Sequence, residues 1–305
     1  MKLKKRKPSS GGTNSSLIQR PMKRMFPLFI IPTFAAFCIG FLYPFLDGIY
    51  LSFNKYMLPS DAQWVGIDNY VKAFSDASFG NAFKFTTVFT VVSVVIVNVI
   101  AFAVAYALTQ KIKGANVFRT VFFMPNLIGG VVLGYIWKMI FDGILYYFSK
   151  QLQLEAGISF WALQILMAWQ QIGYMMIIYI AGLQAIPEDM LEAATIDGAN
   201  RWNSLIHVTI PNVMPSITIC TFLSLTNSFK LYDQNMALTG GLPILQQGGQ
   251  QIKMTEMLAM NIKSTYDINK NFHGVAQAKA VIFFLLVATI ALIQLRATRS
   301  KEVQQ

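Results

Sequence analysis

The sequence predicts an all-α integral membrane protein with about six transmembrane helices, and three observations lead to this fold class. Hydrophobic residues make up 54% of the 305-residue chain and charged residues only 13%, whereas roughly 25% of the residues of a soluble protein are charged. The apolar residues form six long stretches, and a helix needs about 20 such residues to cross a bilayer. Lysine and arginine are concentrated in segments that would lie on one side of these spans, as is typical of multi-pass membrane proteins.

The predicted spans are residues 26–48, 84–109, 117–141, 160–183, 212–229 and 276–296. The fifth is the shortest and the most polar, and polar groups at membrane depth should face another helix or a wet cavity. In the third, Gly130 and Gly134 have the spacing of a close helix-packing contact. The predicted domains are a basic tail (1–24), a six-helix transmembrane domain (25–298) with an inner loop (184–211) and an outer loop leading into the last span (230–275), and a C-terminal tail (299–305).

The charges orient the spans with both termini in the cytoplasm. In this arrangement the inner segments hold fifteen Lys and Arg residues against five acids, and the rest of the chain holds ten against nine. An odd number of spans would put Arg296, Arg299 and Lys301 outside, which agrees less well with the positive-inside rule. The basic tail is rich in Gly, Ser and Pro, so we expect it to be disordered and to set topology rather than to bind nucleic acid.

The inner loop between spans four and five predicts a helix-turn-helix. Pro187 suits the first position of a helix, and the acids after it favour the positive end of the helix dipole. Gly198 can adopt the left-handed conformation that ends a helix. A second helix should then run to Pro211, where the membrane begins again. Its apolar side would consist of Trp202, Leu205 and Ile206.

Two other interpretations of this loop are weaker. A structural elbow would explain the prolines and the glycine, but not an exposed surface of Glu192, Ala193 and Ala194 in the cytoplasm. A small, smooth helix in that place suits docking into a groove of another protein; on it, Leu191, Ala194 and Thr195 share one face. A DNA-reading helix is disfavoured because Arg201 is the only Lys or Arg in the loop and phosphate contacts need several.

The loop resembles a known family. Its residues Glu192-Ala-Ala-Thr-Ile-Asp-Gly-Ala-Asn-Arg-Trp202, followed by Ile210-Pro-Asn-Val-Met-Pro215, are similar to the cytoplasmic loop of permease subunits of binding-protein-dependent ABC importers, the carbohydrate branch in particular. Further segments resemble the same family in order along nearly the whole chain: Trp64-Val-Gly-Ile-Asp-Asn-Tyr70 with Phe74, Phe229-Lys-Leu-Tyr-Asp233, Leu238-Thr-Gly-Gly-Leu-Pro243 and Gly274-Val-Ala-Gln-Ala278. Two departures are Leu205, where a Phe is usual, and Leu242, where a third Gly is common.

The resemblance implies the type I importer permease fold, a bacterial cytoplasmic membrane and ATP-driven import of a sugar. Di- and oligosaccharides fit best, and polyols or glycerol phosphates stay open. It implies that the coupling helix, which sits in a cleft of an ATPase subunit, contains Glu192, Ala193, Ala194, Asp197 and Gly198. The implied partners are a second related permease, two ATPase subunits, an extracytoplasmic binding protein and membrane lipid.

The chain itself lacks the G-x-x-x-x-G-K-[ST] phosphate loop. ATP and Mg would therefore be bound by the partner subunits, and we predict neither a cofactor nor an enzymatic activity for this chain. His207 and His273 are isolated in the sequence, so no metal site and no catalytic residue are predicted.

Polar and aromatic residues of the spans are candidates for the cargo pathway. Neutral sugars need matched hydrogen bonds and flat apolar faces, so a site should combine amides or hydroxyls with aromatic rings. The candidates are Ser224, Asn227 and Ser228 on span five, Tyr135 and Trp137 on span three, Gln170, Gln171 and Tyr174 on span four, and more weakly Asn98 on span two. For each, hydrogen bonding between helices is the alternative.

Two other function classes fit poorly. An ion-driven transporter would need carboxylates or histidines inside the membrane, and Asp47 and Asp142 lie only at span ends. An intramembrane enzyme is disfavoured because the spans contain no H-E-x-x-H, no convergent Asp pair and no Ser/His pair.

Overall fold

The structure is a computed structural model that describes residue 28 and residues 30–110, 112–247, 249–268 and 270–299. The predicted basic tail (1–24) lies outside these residues, and so does the predicted C-terminal tail apart from residue 299. The chain divides into two compact units, Met1–Tyr50 and Leu51–Gln305. Helix α1 (Ile30–Ser52) begins in the first unit, where it is largely exposed. The ring of Phe41 stacks on those of Phe37 and Phe45.

The second unit is built almost entirely from helices, as the sequence predicts. They are α2 (Asp68–Ser75), α3 (Ala77–Thr109), α4 (Ala115–Phe123), α5 (Gly130–Tyr146), α6 (Ala156–Gln184), α7 (Glu188–Ile196), α8 (Arg201–Ser204), α9 (Ile210–Phe229), α10 (Asp233–Leu238), α11 (Leu258–Ile268) and α12 (His273–Arg299). The strands form two antiparallel pairs, β1 (Asn54–Lys55) with β2 (Gln63–Trp64) and β3 (Ile244–Gln247) with β4 (Gln250–Lys253).

Five continuous helices in the described residues are long and apolar enough to cross a membrane: Ile30–Ser52, Ala77–Thr109, Ala156–Gln184, Arg201–Phe229 and Lys270–Thr298. A sixth span is obtained by counting Ala115–Leu127 and Gly130–Tyr146 together. The predicted number of about six spans is confirmed with this bent pair included. The helices extend beyond several predicted spans, since apolar composition marks only the part that lies in lipid.

The third predicted span is not one straight helix. Its two halves meet at an angle of 102°, so the predicted span 117–141 corresponds to this bent pair and not to a single helix. After α4, the chain makes a 3₁₀ turn (Met124–Leu127) that contains Pro125, which has no amide hydrogen to continue an α-helix. Ile128 and Gly129 are then extended. The proline and the Gly129–Gly130 pair were the sequence signals for this break.

The predicted boundary at Pro211 is wrong. α8 continues through a π turn (Leu205–Thr209) into α9, so that one helix runs from Arg201 to Phe229. Pro211 and Pro215 both lie inside this continuous helix. Pro211 directly follows the π turn, where the regular i→i−4 hydrogen-bond pattern is already interrupted. The second helix of the inner loop and the fifth span are therefore one continuous helix.

The main core lies between α3, α6 and α9. Its buried residues include Val97, Ala101, Ala105, Met175, Met176, Tyr179, Val213 and Cys220. α4 crosses α6 so closely that a Cβ atom on Gly173 would overlap the Phe122 carbonyl. α5 likewise packs against α10: a Cβ atom on Gly134 would lie 2.5 Å from the Ala237 Cβ, and one on Gly130 would lie 2.8 Å from the Gln234 side chain. The predicted close packing at Gly130 and Gly134 is confirmed, with α10 as the partner.

Candidate functional site

Helix α7 is exposed along its length. None of its nine residues, all of which the structure describes, is buried. Leu191 packs against the main core and Ala194 is half-buried, whereas Glu192 and Ala193 are exposed. The predicted exposed Glu-Ala-Ala surface is thus correct for its first two residues, while Ala194 turns towards the bundle with Leu191.

The end of α7 depends on a left-handed residue, as predicted. Gly198 has φ +80°, its amide donates to the Thr195 carbonyl (3.1 Å), and the Ala199 amide donates to the Ala194 carbonyl (2.9 Å). This pair of bonds is the Schellman motif, which satisfies the last carbonyls of a helix. A Cβ atom on Gly198 would meet no described atom within 4 Å, so the backbone conformation alone explains the glycine within this chain.

Local features mark the starts of α7 and α8. Pro187, which was predicted at the first helical position, instead occupies the N-cap position of α7 with an extended backbone. Asn200 caps α8 by accepting a hydrogen bond of 2.8 Å from the Asn203 amide. The two helices that begin after Pro187 and Asn200 thus form a turn with few tertiary contacts.

An apolar surface accompanies α7. Ile196 is 85% exposed and Trp202 67% exposed, and Met190 and Ile206 are exposed as well. Acidic side chains at Glu188, Asp189, Glu192 and Asp197 share the turn. Exposed apolar groups rimmed by polar ones are typical of a protein interaction site. We call Met190, Ala193, Ile196 and Trp202 the α7 surface.

A buried polar network joins α3, α6 and α9. The Tyr179 hydroxyl donates to Asn98 Oδ1 (2.7 Å), and Asn98 Nδ2 donates to Ser224 Oγ (2.7 Å). Ser224 donates in turn to the Cys220 carbonyl, and Ser228 donates to the Ser224 carbonyl (2.7 Å). Ser224 and Ser228 are fully buried. In this conformation Ser224 therefore connects helices, which is the alternative that the sequence left open, whereas the hydroxyl of Ser228 is bonded within its own helix.

A second polar group lies where α6 meets α10. Gln234 Nε2 donates to Gln170 Oε1 (2.8 Å), and Gln170 Nε2 donates to the Ile128 carbonyl in the break of the bent span (3.3 Å). Beside it, Asn227 Nδ2 lies 3.5 Å from Gln171 Oε1. Asn227 is half-buried and keeps hydrogen-bonding capacity for another ligand.

The aromatic candidates lie apart from these two groups. Tyr135 is 58% exposed on α5. Trp137 packs edge-on against Trp169 with ring centroids 5.5 Å apart, and Tyr174 packs at the edge of the main core. The structure therefore does not gather all predicted pathway residues into one site. Sequence reasoning missed Tyr179, whose hydroxyl in an apolar run was the available signal, and Gln234, which was placed in an outer loop.

The arrangement of spans can be compared with that of known proteins, and so can the exposed turn of α7 and α8, which we call the α7 turn. The family model of the binding-protein-dependent transport system inner membrane component matches residues 113–301, a range that holds α4 to α12 and the α7 turn. This is more than half of the chain. The chain belongs to this family.

Individual relatives agree with this membership. The probable starch degradation products transport system permease protein AmyD of Thermoanaerobacterium thermosulfurigenes is 40% identical over 285 residues, covering 91% of this chain and 94% of that protein. The multiple sugar-binding transport system permease protein MsmF of Streptococcus mutans is 30% identical over 276 residues, covering 87% and 92%. Family members are multi-pass membrane transport subunits, and the chain is one of them.

The fold is that of a type I importer permease. A bacterial ABC transporter involved in the import of the acidic polysaccharide alginate has a chain that superposes with a TM-score of 0.75 at 18% identity, covering 93% of this chain and 99% of that one. The same kind of transporter in complex with an alginate pentasaccharide-bound periplasmic protein gives a TM-score of 0.74.

Proposed function

We propose that this family member is one of two transmembrane subunits of an ATP-driven importer that carries a neutral di- or oligosaccharide. A binding protein delivers the sugar from outside, and separate subunits bind and hydrolyse ATP with Mg. Both termini of the chain lie in the cytoplasm of a bacterial cell. Two relatives, described as permeases for starch degradation products and for multiple sugars, support a sugar as the cargo. The predicted excess of Lys and Arg in the inner loops supports the orientation of the chain.

The exposed α7 turn is the observation that carries the proposal. A nine-residue helix that has no buried residue, an apolar outer surface and a Schellman motif at its C-terminal end presents more contact surface to another protein than to its own bundle. Docking of such a helix into a groove is a common recognition mode. In our proposal the groove belongs to an ATPase subunit, and Glu192, Ala193, Asp197 and Gly198 lie at the contact while Ala194 backs the helix against the bundle.

The connections of α7 explain how movement of an ATPase would reach the membrane. α7 follows α6 after a short turn at Pro187 and is joined to the continuous Arg201–Phe229 helix through Gly198 and Asn200. Leu191 also contacts the core shared by α3, α6 and α9. A displacement of α7 therefore shifts α6 and α9 together, because packed helices move as rigid elements rather than deforming continuously.

The same helices carry the polar candidates for the cargo pathway. We propose that Asn227, Gln170 and Tyr135 contact the sugar. Tyr135 is exposed and Asn227 is half-buried. Gln170, by contrast, is buried and must exchange its bonds to Gln234 and Ile128 to do so. Ser224, Ser228 and Tyr174 hold the helices that present them, and Trp137 supports the aromatic wall. Sugar hydroxyls both donate and accept hydrogen bonds, and amide side chains match them in both roles.

The test is uptake by the complete transporter in proteoliposomes. The chain is purified with its partner permease, ATPases and binding protein, and uptake of labelled maltotriose is measured with ATP inside and with proton and sodium gradients collapsed. We expect uptake that requires ATP hydrolysis and that is lost in the Gly198→Val variant. Uptake that follows an ion gradient at constant ATP, or an unchanged Gly198→Val complex, would contradict the proposal.

A further inference from the structure

A groove of about 970 Å³ lies between α2, α11, β4 and the segment that follows α9. We call it the α11 groove. Its volume is within the range of small-molecule sites in proteins. Tyr232, Met236 and Phe272 contribute apolar and aromatic walls, and Gln250, Gln251 and Ser264 contribute polar groups. The side-chain amides of Gln250 and Gln251 make no hydrogen bond to the described part of the chain, so they are available to a ligand.

The floor of the groove is polar and preorganised. The buried Glu256 carboxylate accepts hydrogen bonds from Asn261 Nδ2 (2.9 Å) and from Ser264 Oγ (2.6 Å). Lys279, behind Asn261, donates to Asn261 Oδ1 (2.9 Å) and Thr265 Oγ1 (2.7 Å). Side chains that are locked by their own hydrogen bonds can present their remaining donors and acceptors at fixed positions.

The groove carries no net charge. Its lining contains the lysines at 72, 253 and 263 and the acids at 76, 256 and 267. Lys263 pairs with Asp267 (2.5 Å) and Lys253 lies 3.8 Å from Glu256, while Lys72 pairs with Asp68 (2.5 Å) just outside. Lys263 donates a hydrogen bond to Asp267, which raises the pKa of the lysine, and the opposite charges of the pair offset each other. A site without unpaired lysines offers nothing to attract an anion over a neutral molecule.

Helix α10 separates the groove from the polar group where α6 meets α10. Tyr232 and Met236, which line it, stand on either side of Gln234 in the sequence. Gln234 is hydrogen-bonded to Gln170, a predicted pathway residue. One short helix thus borders the groove with Met236 and the candidate pathway with Gln234.

From these observations we propose that the α11 groove is an entrance subsite for a neutral oligosaccharide, which it holds by its free amides and aromatic walls before the sugar reaches the pathway at Gln170. The inference rests on the proposed function and adds to it a second binding site and a preference for uncharged over acidic sugars. Glu256 and Asn261 set the floor, and Gln250 and Gln251 make the adjustable contacts.

Cysteine protection in the complete transporter tests the proposal. Gln250→Cys places a thiol in the groove, and Gln63→Cys places one on the exposed strand β2, away from the groove. The rate of reaction with a membrane-impermeant maleimide is measured with no sugar, with maltopentaose and with an oligogalacturonate of the same length. The unsubstituted chain reports any labelling of Cys38 and Cys220.

We expect maltopentaose to slow the labelling of Gln250→Cys at least fivefold, and to leave Gln63→Cys unchanged. Oligogalacturonate should protect neither. Equal rates in all conditions, equal protection by the acidic sugar, or a Gln250→Cys thiol that does not react in the complex because another subunit covers it, would each overturn the proposal.

A second variant separates the subsite from the importer itself. Phe272→Ala removes an aromatic wall, and it should raise the sugar concentration for half-maximal uptake about fivefold for maltopentaose and by a smaller factor for maltose, which is too short to make all the contacts of the groove. If the unsubstituted transporter takes up neither sugar, the proposed function fails. If it takes up both and Phe272→Ala changes neither, only the entrance subsite is wrong.

Discussion

Lys279 and Asp76 are 203 residues apart in the sequence, and the Lys279 Nζ lies 2.6 Å from the Asp76 Oδ2. The lysine side chain is fully buried, and Asp76 also caps α3 by accepting a hydrogen bond of 2.9 Å from the Ser78 amide. The pair therefore joins α12 to the first turn of α3. Asn261 and Thr265 of α11 complete the coordination of the ammonium group.

Loss of this lysine should destabilise the protein. Removing one partner of a fully buried ion pair typically costs about 3–5 kcal/mol. The cost here should be smaller, because Asp76 is only partly buried and keeps its hydrogen bond from the Ser78 amide. Asn261 and Thr265, however, lose their buried donor. We expect Lys279→Met to lower the melting temperature in detergent clearly, as measured by the fluorescence of a thiol-reactive dye.

Lys263→Met, which breaks the exposed pair with Asp267, is the control and should melt like the unsubstituted chain. Equal melting of the two variants would mean that the buried pair contributes nothing.

Gly173 should not tolerate a methyl group. A Cβ atom there would overlap the backbone of Phe122, and backbone cannot move aside as a flexible side chain can. Gly173→Ala should therefore abolish the monodisperse peak in size-exclusion chromatography or reduce its yield several-fold. Gly157→Ala on the same helix has open space around the added atom and should behave normally. A stable Gly173→Ala protein would show that α4 does not cross α6 in this way.

The left-handed conformation of Gly198 gives a graded prediction for coupling. Asn adopts positive φ more readily than other residues with a side chain, whereas a β-branched residue is strongly disfavoured there. ATPase stimulation by the loaded binding protein should be mostly retained in Gly198→Asn and reduced at least tenfold in Gly198→Val. Both variants should melt normally, since the turn lies outside the core. If Asn and Val are equally harmful, bulk at the contact matters and not the backbone conformation.

The Asn98 network should govern stability more than sugar affinity. Hydrogen bonds between transmembrane helices contribute about 0.6 kcal/mol on average and up to about 1.7 kcal/mol. Tyr179→Phe and Ser224→Ala should each lower stability by amounts of this order, with no change in the sugar concentration for half-maximal uptake. A raised half-maximal concentration with unchanged stability would instead place these side chains in contact with the cargo.

Neighbouring alanines of α7 should differ in accessibility. Ala193 is exposed and Ala194 half-buried, so in the isolated chain Ala193→Cys should react with a maleimide several times faster than Ala194→Cys. Assembly with the ATPases should suppress labelling of Ala193→Cys. Continued fast labelling in the ATP-hydrolysing complex would exclude the α7 surface as the docking site.

The sequence predicted those parts of the fold that depend on local chemistry. Six apolar stretches gave the number of spans, and Gly198 gave the end of α7 because a left-handed residue is a local requirement. The spacing of Gly130 and Gly134 correctly indicated close packing, although it could not name α10 as the partner.

The features that were missed depend on distant contacts or on competition between local preferences. Hydropathy is averaged over a window, so it did not register the bend of the third span at Pro125. Pro211 suggested a helix boundary, although the helix continues through it after the π turn. The pairing of Gln170 with Gln234, like that of Lys279 with Asp76, arises only when separate helices pack.

The length of α3 has a mechanical consequence. Its 33 residues correspond to about 50 Å at about 1.5 Å per residue, whereas the hydrocarbon core is about 30 Å thick. One end must therefore project into water, and Phe79 and Ala82 at its N-terminal end pack with Leu258 of α11. In the proposed topology, the other end of this continuous helix leads into the first inner loop. A protein that contacts the projecting end would then displace both ends of one helix together, on opposite sides of the bilayer.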